Sequence, residues 1–487
     1  MRGQSSIEPE NRPAHTEQNK TPAARKHLKV LAAGSAAIAI AATGAGLSAQ
    51  ENGGLELTFG LRSELRATDN AELAVTSPGD ATFFDTRLSF GLRSVTRRSV
   101  LDFNMSGVAR FADLPAGSNG GNGFEAPAVR LAYALNNQNS SLKLDADYQQ
   151  TDLAYLSPLN DDVLAIDDAG NLVLVNDTGT RTRYSYGATL KTGINAPLGL
   201  TLSVKRSGFD YEDTVSTSYY DSDRIRVDGK LRFTLAPDTD AFMQLVHTDF
   251  EADNALQTHR KSDNISFGLT HEMDETTTVE GSLGYGETVT DNTGGRTTSE
   301  GIIAHASITR ALADGSIGAS YRHEVYANGE RDSLHVTREM ELPRGSLAFD
   351  MGVSKSDFGS AQLVGSVTYN QAMAMGQFNL GVTRSASTNA DNEDLIATRL
   401  NAGWQYELNE TSSLALNAGY FQVEDGGAGT YVSRDRTNLS IAYNHALTED
   451  WLVSTGVELR TSQTAGQSEA RSKAIFLSLE REFTIRP

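Results

Sequence analysis

The chain has 487 residues, of which 39% are hydrophobic, 7% aromatic and 21% charged, a composition that can bury a core and does not suit a disordered tail. It contains no cysteine, which excludes disulfides, iron–sulfur, haem-thiolate and cysteine–zinc sites and any thiol nucleophile. Its net charge of −20 argues against a partner made of nucleic acid.

Residues 1–29 are polar and close on Arg25, Lys26, His27 and Lys29; residues 30–49 are apolar and small, and Gln50 and Glu51 restore polarity. That order predicts a signal peptide with a long n-region over 1–49, cleaved after Ala49. Removing its six Lys/Arg and three Asp/Glu takes the net charge from −20 to −23. From 50 to 487 no apolar run reaches about 18 residues, so helical membrane spans are excluded there.

From residue 53 the apolar period is two, which means strand. Leu55, Leu57, Phe59 and Leu61 share one face, with Glu56, Thr58, Gly60 and Arg62 on the other. The pattern returns in Leu101, Phe103 and Met105, and again in Leu142, Leu144, Ala146 and Tyr148. Further on, Ile225, Val227, Leu231 and Phe233 keep it, as do Ile265, Phe267 and Leu269, then Leu400, Ala402, Trp404 and Tyr406. Short polar turns are expected near 94–98, 136–140, 195–197, 236–240, 272–276, 312–315, 343–345, 371–375, 407–411 and 446–450. Longer connectors alternate with them at 69–80, 112–123, 155–180, 211–222, 252–262, 287–298, 326–332, 386–394, 424–434 and 463–470, with a tighter one at 357–360.

Eleven hairpins give about 22 strands, within a range of 18–24. An open sheet of that size would leave long edges, and no linker divides residues 53–487 into smaller sandwiches. Closure in a bilayer pairs every backbone group, gives each strand one apolar face, and leaves the polar face to a wet lumen. The fold expected is therefore all-β, a transmembrane antiparallel β-barrel over 50–487 with no plug domain. Its longest connector, 155–180, reads as an extracellular insert and a constriction or binding loop.

In AIFLSLEREF, residues 474–483, Ile475, Leu477, Leu479 and Phe483 share one register, with Arg481 the exception. This resembles the terminal strand of bacterial outer-membrane proteins, whose last aromatic is read by the barrel assembly machinery; here Phe483 is followed by four more residues. The whole span 53–487 resembles the porin-like outer-membrane barrels of alphaproteobacteria, some of which are associated with exopolysaccharide systems. The resemblance implies the outer membrane of a Gram-negative cell, with lipid and lipopolysaccharide as surroundings.

No HExxH, Walker, dinucleotide or GxSxG pattern occurs, so no enzyme, cofactor or metal site is expected. His247, His271, His305, His323 and His335 read as isolated lumen or rim residues. The acidic connectors lack the spacing of an EF-hand and read as solvated loops. Candidate lumen-lining charges are Arg62, Arg87, Arg110, Lys143, Asp145, Arg183, Lys191, Arg226, Lys230, Arg232, Glu280 and Arg399. An iron or vitamin receptor would need a large N-terminal plug, for which an early first strand leaves no room. The function expected is thus a passive or weakly selective channel for small hydrophilic solutes or saccharides. The alternative is a non-conducting structural barrel that binds surface polysaccharide or a partner protein.

Overall fold

The computed structural model describes residues 54–486 apart from 117, 119–121, 154–178, 215–218, 358, 389–392 and 428–431. The predicted signal peptide, the N-terminal region in which no plug is expected and most of the 155–180 insert lie outside the described residues. Twenty-two strands form, and among the described residues there is no helix. They are β1 (Leu55–Thr68), β2 (Ala81–Val95), β3 (Ser99–Asp113), β4 (Gly123–Asn136), β5 (Ser140–Asp152), β6 (Thr180–Thr192), β7 (Leu198–Glu212) and β8 (Ser222–Ala236). Next come β9 (Thr239–Ala252), β10 (Thr258–Glu272), β11 (Thr277–Asn292), β12 (Gly295–Leu312), β13 (Gly315–Tyr326), β14 (Gly329–Leu342) and β15 (Gly345–Ser356). The last seven are β16 (Gln362–Met373), β17 (Gly376–Thr388), β18 (Asp394–Asn409), β19 (Ser412–Asp425), β20 (Arg434–Ala446), β21 (Trp451–Thr464) and β22 (Ala470–Ile485).

Each strand pairs antiparallel with the next, and β1 pairs with β22 from Leu57↔Ile485 to Thr68↔Ala474, so the sheet closes on itself. The register confirms the two faces read from the alternation. Phe59, Leu65, Phe84, Leu88, Met105, Phe111, Leu283 and Ile475 are exposed on the outside, as a lipid-facing wall requires. Glu64, Arg66, Asp85 and Arg110, on the other face, are buried. Phe483 sits opposite Phe59 at the closing seam. The outward exception, Arg481, lies over the rings of Phe483 and Trp451 at 4.1 and 5.1 Å, a cation–π arrangement at the end of the wall.

All ten short turns fall where the sequence puts them, and their chemistry is local. In the 273–276 turn the Asp274 carboxylate accepts from the Thr276 amide and hydroxyl, and these bonds hold its pKa down to about 2. Gly376 takes φ +125° after the 374–375 turn, where a Cβ would collide with the Gln405 carbonyl oxygen. Three of the long connectors do not exist as such. The expected loops 252–262, 287–298 and 326–332 shrink to 253–257, 293–294 and 327–328, because β10–β14 run on through polar sequence. The polar composition there predicts loop, yet these residues alternate on paired strands like the apolar ones before them.

The face assignment predicts opposite outcomes for one substitution at neighbouring sites. Leu283→Lys, in the lipid wall, should cost roughly 2–4 kcal/mol, as a charge near mid-bilayer does. Ser307→Lys, on the inner face opposite Glu280, should leave stability nearly unchanged. Urea unfolding of the refolded barrel in lipid vesicles measures both.

Candidate functional site

Short turns join the even-numbered strands to the odd ones that follow, and the longer connectors lie at the other rim, which orients the long-loop rim outward from the cell. The register places all twelve sequence-predicted charges on the face opposite the apolar wall. Several are engaged with neighbours. Arg62 reaches Glu64 at 3.3 Å and Glu480 at 3.6 Å. Arg232 meets Asp240 at 3.4 Å and donates to the carbonyls of Gly193, Ile194 and Ala196, bracing a turn rather than facing open space. Arg226 is 3.8 Å from Asp228, the Lys230 ammonium lies 3.8 Å from the Phe242 ring, and the Arg399 guanidinium lies over Phe421. Glu280 accepts from Thr270 and stands 3.7 Å from His305. The twelve lie on β1, β2, β3, β5, β6, β8, β11 and β18 and do not converge on one place.

A different set does share one level. Arg66, Arg110, Arg181, Arg331, Arg436 and Arg460 all lie within four residues of the extracellular end of their strands, on the inner face, and each is less than a tenth exposed. Only Arg110 of these six was singled out from the sequence. Arg110 forks onto Asp85 at 2.8 and 3.0 Å, with Asp152 at 3.4 Å. Arg181 lies over the Phe209 ring at 5.8 Å. Arg331 stacks on Tyr326 and pairs with Asp394 at 2.6 Å. Asp394 also accepts from Asn328, Ser356 and Thr388, tying the rims of β14, β15, β17 and β18 together. On the β21–β1 wall, Arg66 donates to Glu458 at 2.6 Å while Arg460 stands 3.7 Å from the same carboxylate, and Arg436 lies on the adjacent β20. Three guanidinium groups thus gather around one acid. The Arg66 Nη1 atom is buried there without a hydrogen-bond partner. The sequence carries a usable signal for this level: an arginine of inward parity close to the outer end of a strand.

The histidines do not meet. His247, His271 and His323 point outward and only His305 and His335 point inward, so no lumen cluster forms from the five. His335 is paired with Asp350 at 2.5 Å, a neighbour on the same inner face of β15.

No family model matches the chain, and no curated protein matches it in sequence. Solved barrels do. The FrpB iron transporter from Neisseria meningitidis (F3-3 variant) aligns with TM-score 0.52 and 8% identity, over 89% of this chain and 82% of that one. The ferric-catecholate import receptor Fiu from E. coli K12 aligns with TM-score 0.51 and 11% identity, over 89% and 82%. BauA, the ferric preacinetobactin receptor from Acinetobacter baumannii, gives TM-score 0.50 and 11% identity, over 88% and 80%. At such identities it is the fold that is shared, that of a closed outer-membrane β-barrel of a Gram-negative cell.

That likeness corrects the functional expectation. The barrel has the architecture of proteins described as iron transporters and import receptors, so the expectation of a passive or weakly selective channel does not stand. Nor does an early first strand exclude receptor-type uptake, since residues before 54 lie outside those described.

The arginine–glutamate group predicts a stability effect. Glu458→Gln removes the acid shared by Arg66 and Arg460 and leaves buried cations uncompensated, at a cost of roughly 3–5 kcal/mol. Glu480→Gln, at a half-exposed site, should cost less than about 1 kcal/mol. Unfolding midpoints in the same vesicles compare them.

Proposed function

We propose that the barrel is a receptor-type importer for a bulky anionic metal chelate taken up from outside the cell. The observation that carries this reading is the level of buried arginines just inside the extracellular mouth. The chain as a whole is acidic, at −20, and Asp85, Asp394 and Glu458 stand against these arginines, so what the outer end of the inner wall offers is a set of guanidinium groups rather than a net positive charge. A recessed, low-dielectric setting strengthens their field, and guanidinium forks match carboxylate and catecholate oxygens. The likeness to barrels described as receptors for ferric chelates supports the same class of solute. Elsewhere on the inner wall, Arg62, Arg226, Lys230 and Arg399 continue the polar path and are proposed to line it. Phe483, at the closing seam, is proposed as the aromatic read during barrel assembly.

The test is equilibrium binding of a ferric catecholate chelate to the purified full-length barrel, followed by calorimetry. Arg66→Gln and Arg436→Gln should each weaken binding roughly tenfold or more, as loss of a charged hydrogen bond does. Binding should also fall with added salt. No binding by the wild-type protein, or undiminished binding by the double variant, overturns the reading.

A further inference from the structure

The outer wall of β9 and β10 changes character part-way up. Leu245 and Ile265, which face each other across the two strands, are the last apolar outward pair. Toward the extracellular rim the next outward pairs are His247 with Asp263, Asp249 with Lys261, and Glu251 with His259. In the last two rungs a single imidazole nitrogen meets two carboxylates. His259 Nε2 is 2.7 Å from Asp249 Oδ1 and 3.6 Å from Glu251 Oε1. The three donor atoms all lie within 4.8 Å of one another; ligands about 2.0–2.2 Å from one tetrahedral ion stand roughly 3.3–3.6 Å apart, so His259 and Asp249, hydrogen-bonded at 2.7 Å, would part by less than about 1 Å to admit it.

The surroundings leave this group short of positive charge. Across the sheet, Asp223 flanks Glu251 and Asp291 flanks His259, so a row of acids runs through the site. The flanking acids have their own cations, Arg206 at 2.8 Å from Asp223 and Arg296 at 3.9 Å from Asp291. Asp249 and Glu251 have between them the Lys261 ammonium, 3.8 Å from Asp249 Oδ2 on the side away from His259. The hairpin that holds the group is fixed from inside by Asn254, itself buried, whose side-chain oxygen accepts from the Thr258 amide.

From this geometry we propose that Asp249, Glu251 and His259 form a divalent transition-metal site on the outer wall just below the extracellular rim. One imidazole nitrogen with two carboxylate oxygens suits zinc-like ions. Calcium and magnesium prefer all-oxygen shells. The three ligands come from one side, so the remaining positions of a bound ion face outward, toward water or an anionic headgroup oxygen. The site is separate from the arginine level of the inner wall and does not depend on the solute that passes through the barrel.

The experiment titrates the refolded full-length barrel with Co2+ alone, read by its visible d–d absorption, and with Zn2+ by calorimetry. One Co2+ per chain is expected, displaced by Zn2+. His259→Ala should weaken binding at least about tenfold, and the isosteric Asp249→Asn should do so as well. His323→Ala, at the outward histidine paired with Asp332, should bind as the wild type does. Far-UV circular dichroism and resistance of the barrel to unfolding in detergent confirm that each variant is folded. Absence of a stoichiometric Co2+ signal in the wild type, or equal affinity in folded Asp249→Asn, overturns the proposal.

Discussion

A strand in lipid cannot leave its amides and carbonyls unpaired, and everything in this barrel follows from that demand. Twenty-one of the strand pairings join neighbours in sequence; the pairing of β1 with β22 removes the two remaining edges. Once the ring is closed, each strand must offer one face to lipid and the other to the interior. The alternation of Leu, Phe and Ile with Arg, Asp and Ser is the chemical expression of that geometry. The closing seam carries its own side-chain ties, with Thr68 bonded to Ser472 and Arg66 reaching past β22 to Glu458.

Strand number, turn positions and the faces were legible in the sequence because each depends on near neighbours. Leu283 lies outward and Glu280 inward for no reason beyond parity. Connector length was less legible. At 287–298 the run of Glu, Thr, Asp and Arg looks like a loop, and only the pairing of Glu287 with Glu300 and Asp291 with Arg296 reveals strand. The functional level was the least legible of all. Arg66 and Arg460 are 394 positions apart in the chain and meet because closure brings β1 beside β22 and β21. Counting inward charges finds candidates such as Lys143 and Lys191, whereas their height along the wall decides which ones share a site. The same limit applied to His259, whose partners Asp249 and Glu251 are separated from it by a hairpin.

Charge is sorted by side and by height rather than by sign alone. Arginines collect inside near the outer mouth, each with an acid, a ring or both against its guanidinium, as Arg110 and Arg331 illustrate. On the outside of β8–β12, at a comparable position along the strands, the excess is acidic. The buried arginines stand on β1, β3, β6, β14, β20 and β21, whereas the outward acids stand on β8–β12. A solute approaching the opening and an ion approaching the flank therefore meet opposite faces of different strands.

The two-residue turns that end β11 and β13 have a mechanical consequence. Because hydrogen-bonded pairing continues to Asn292↔Gly295 and Tyr326↔Gly329, this arc of the rim stands as a parapet of sheet rather than a fringe of loops. Its shape is fixed by backbone register, so a visitor to that side of the mouth has to fit a preset outline.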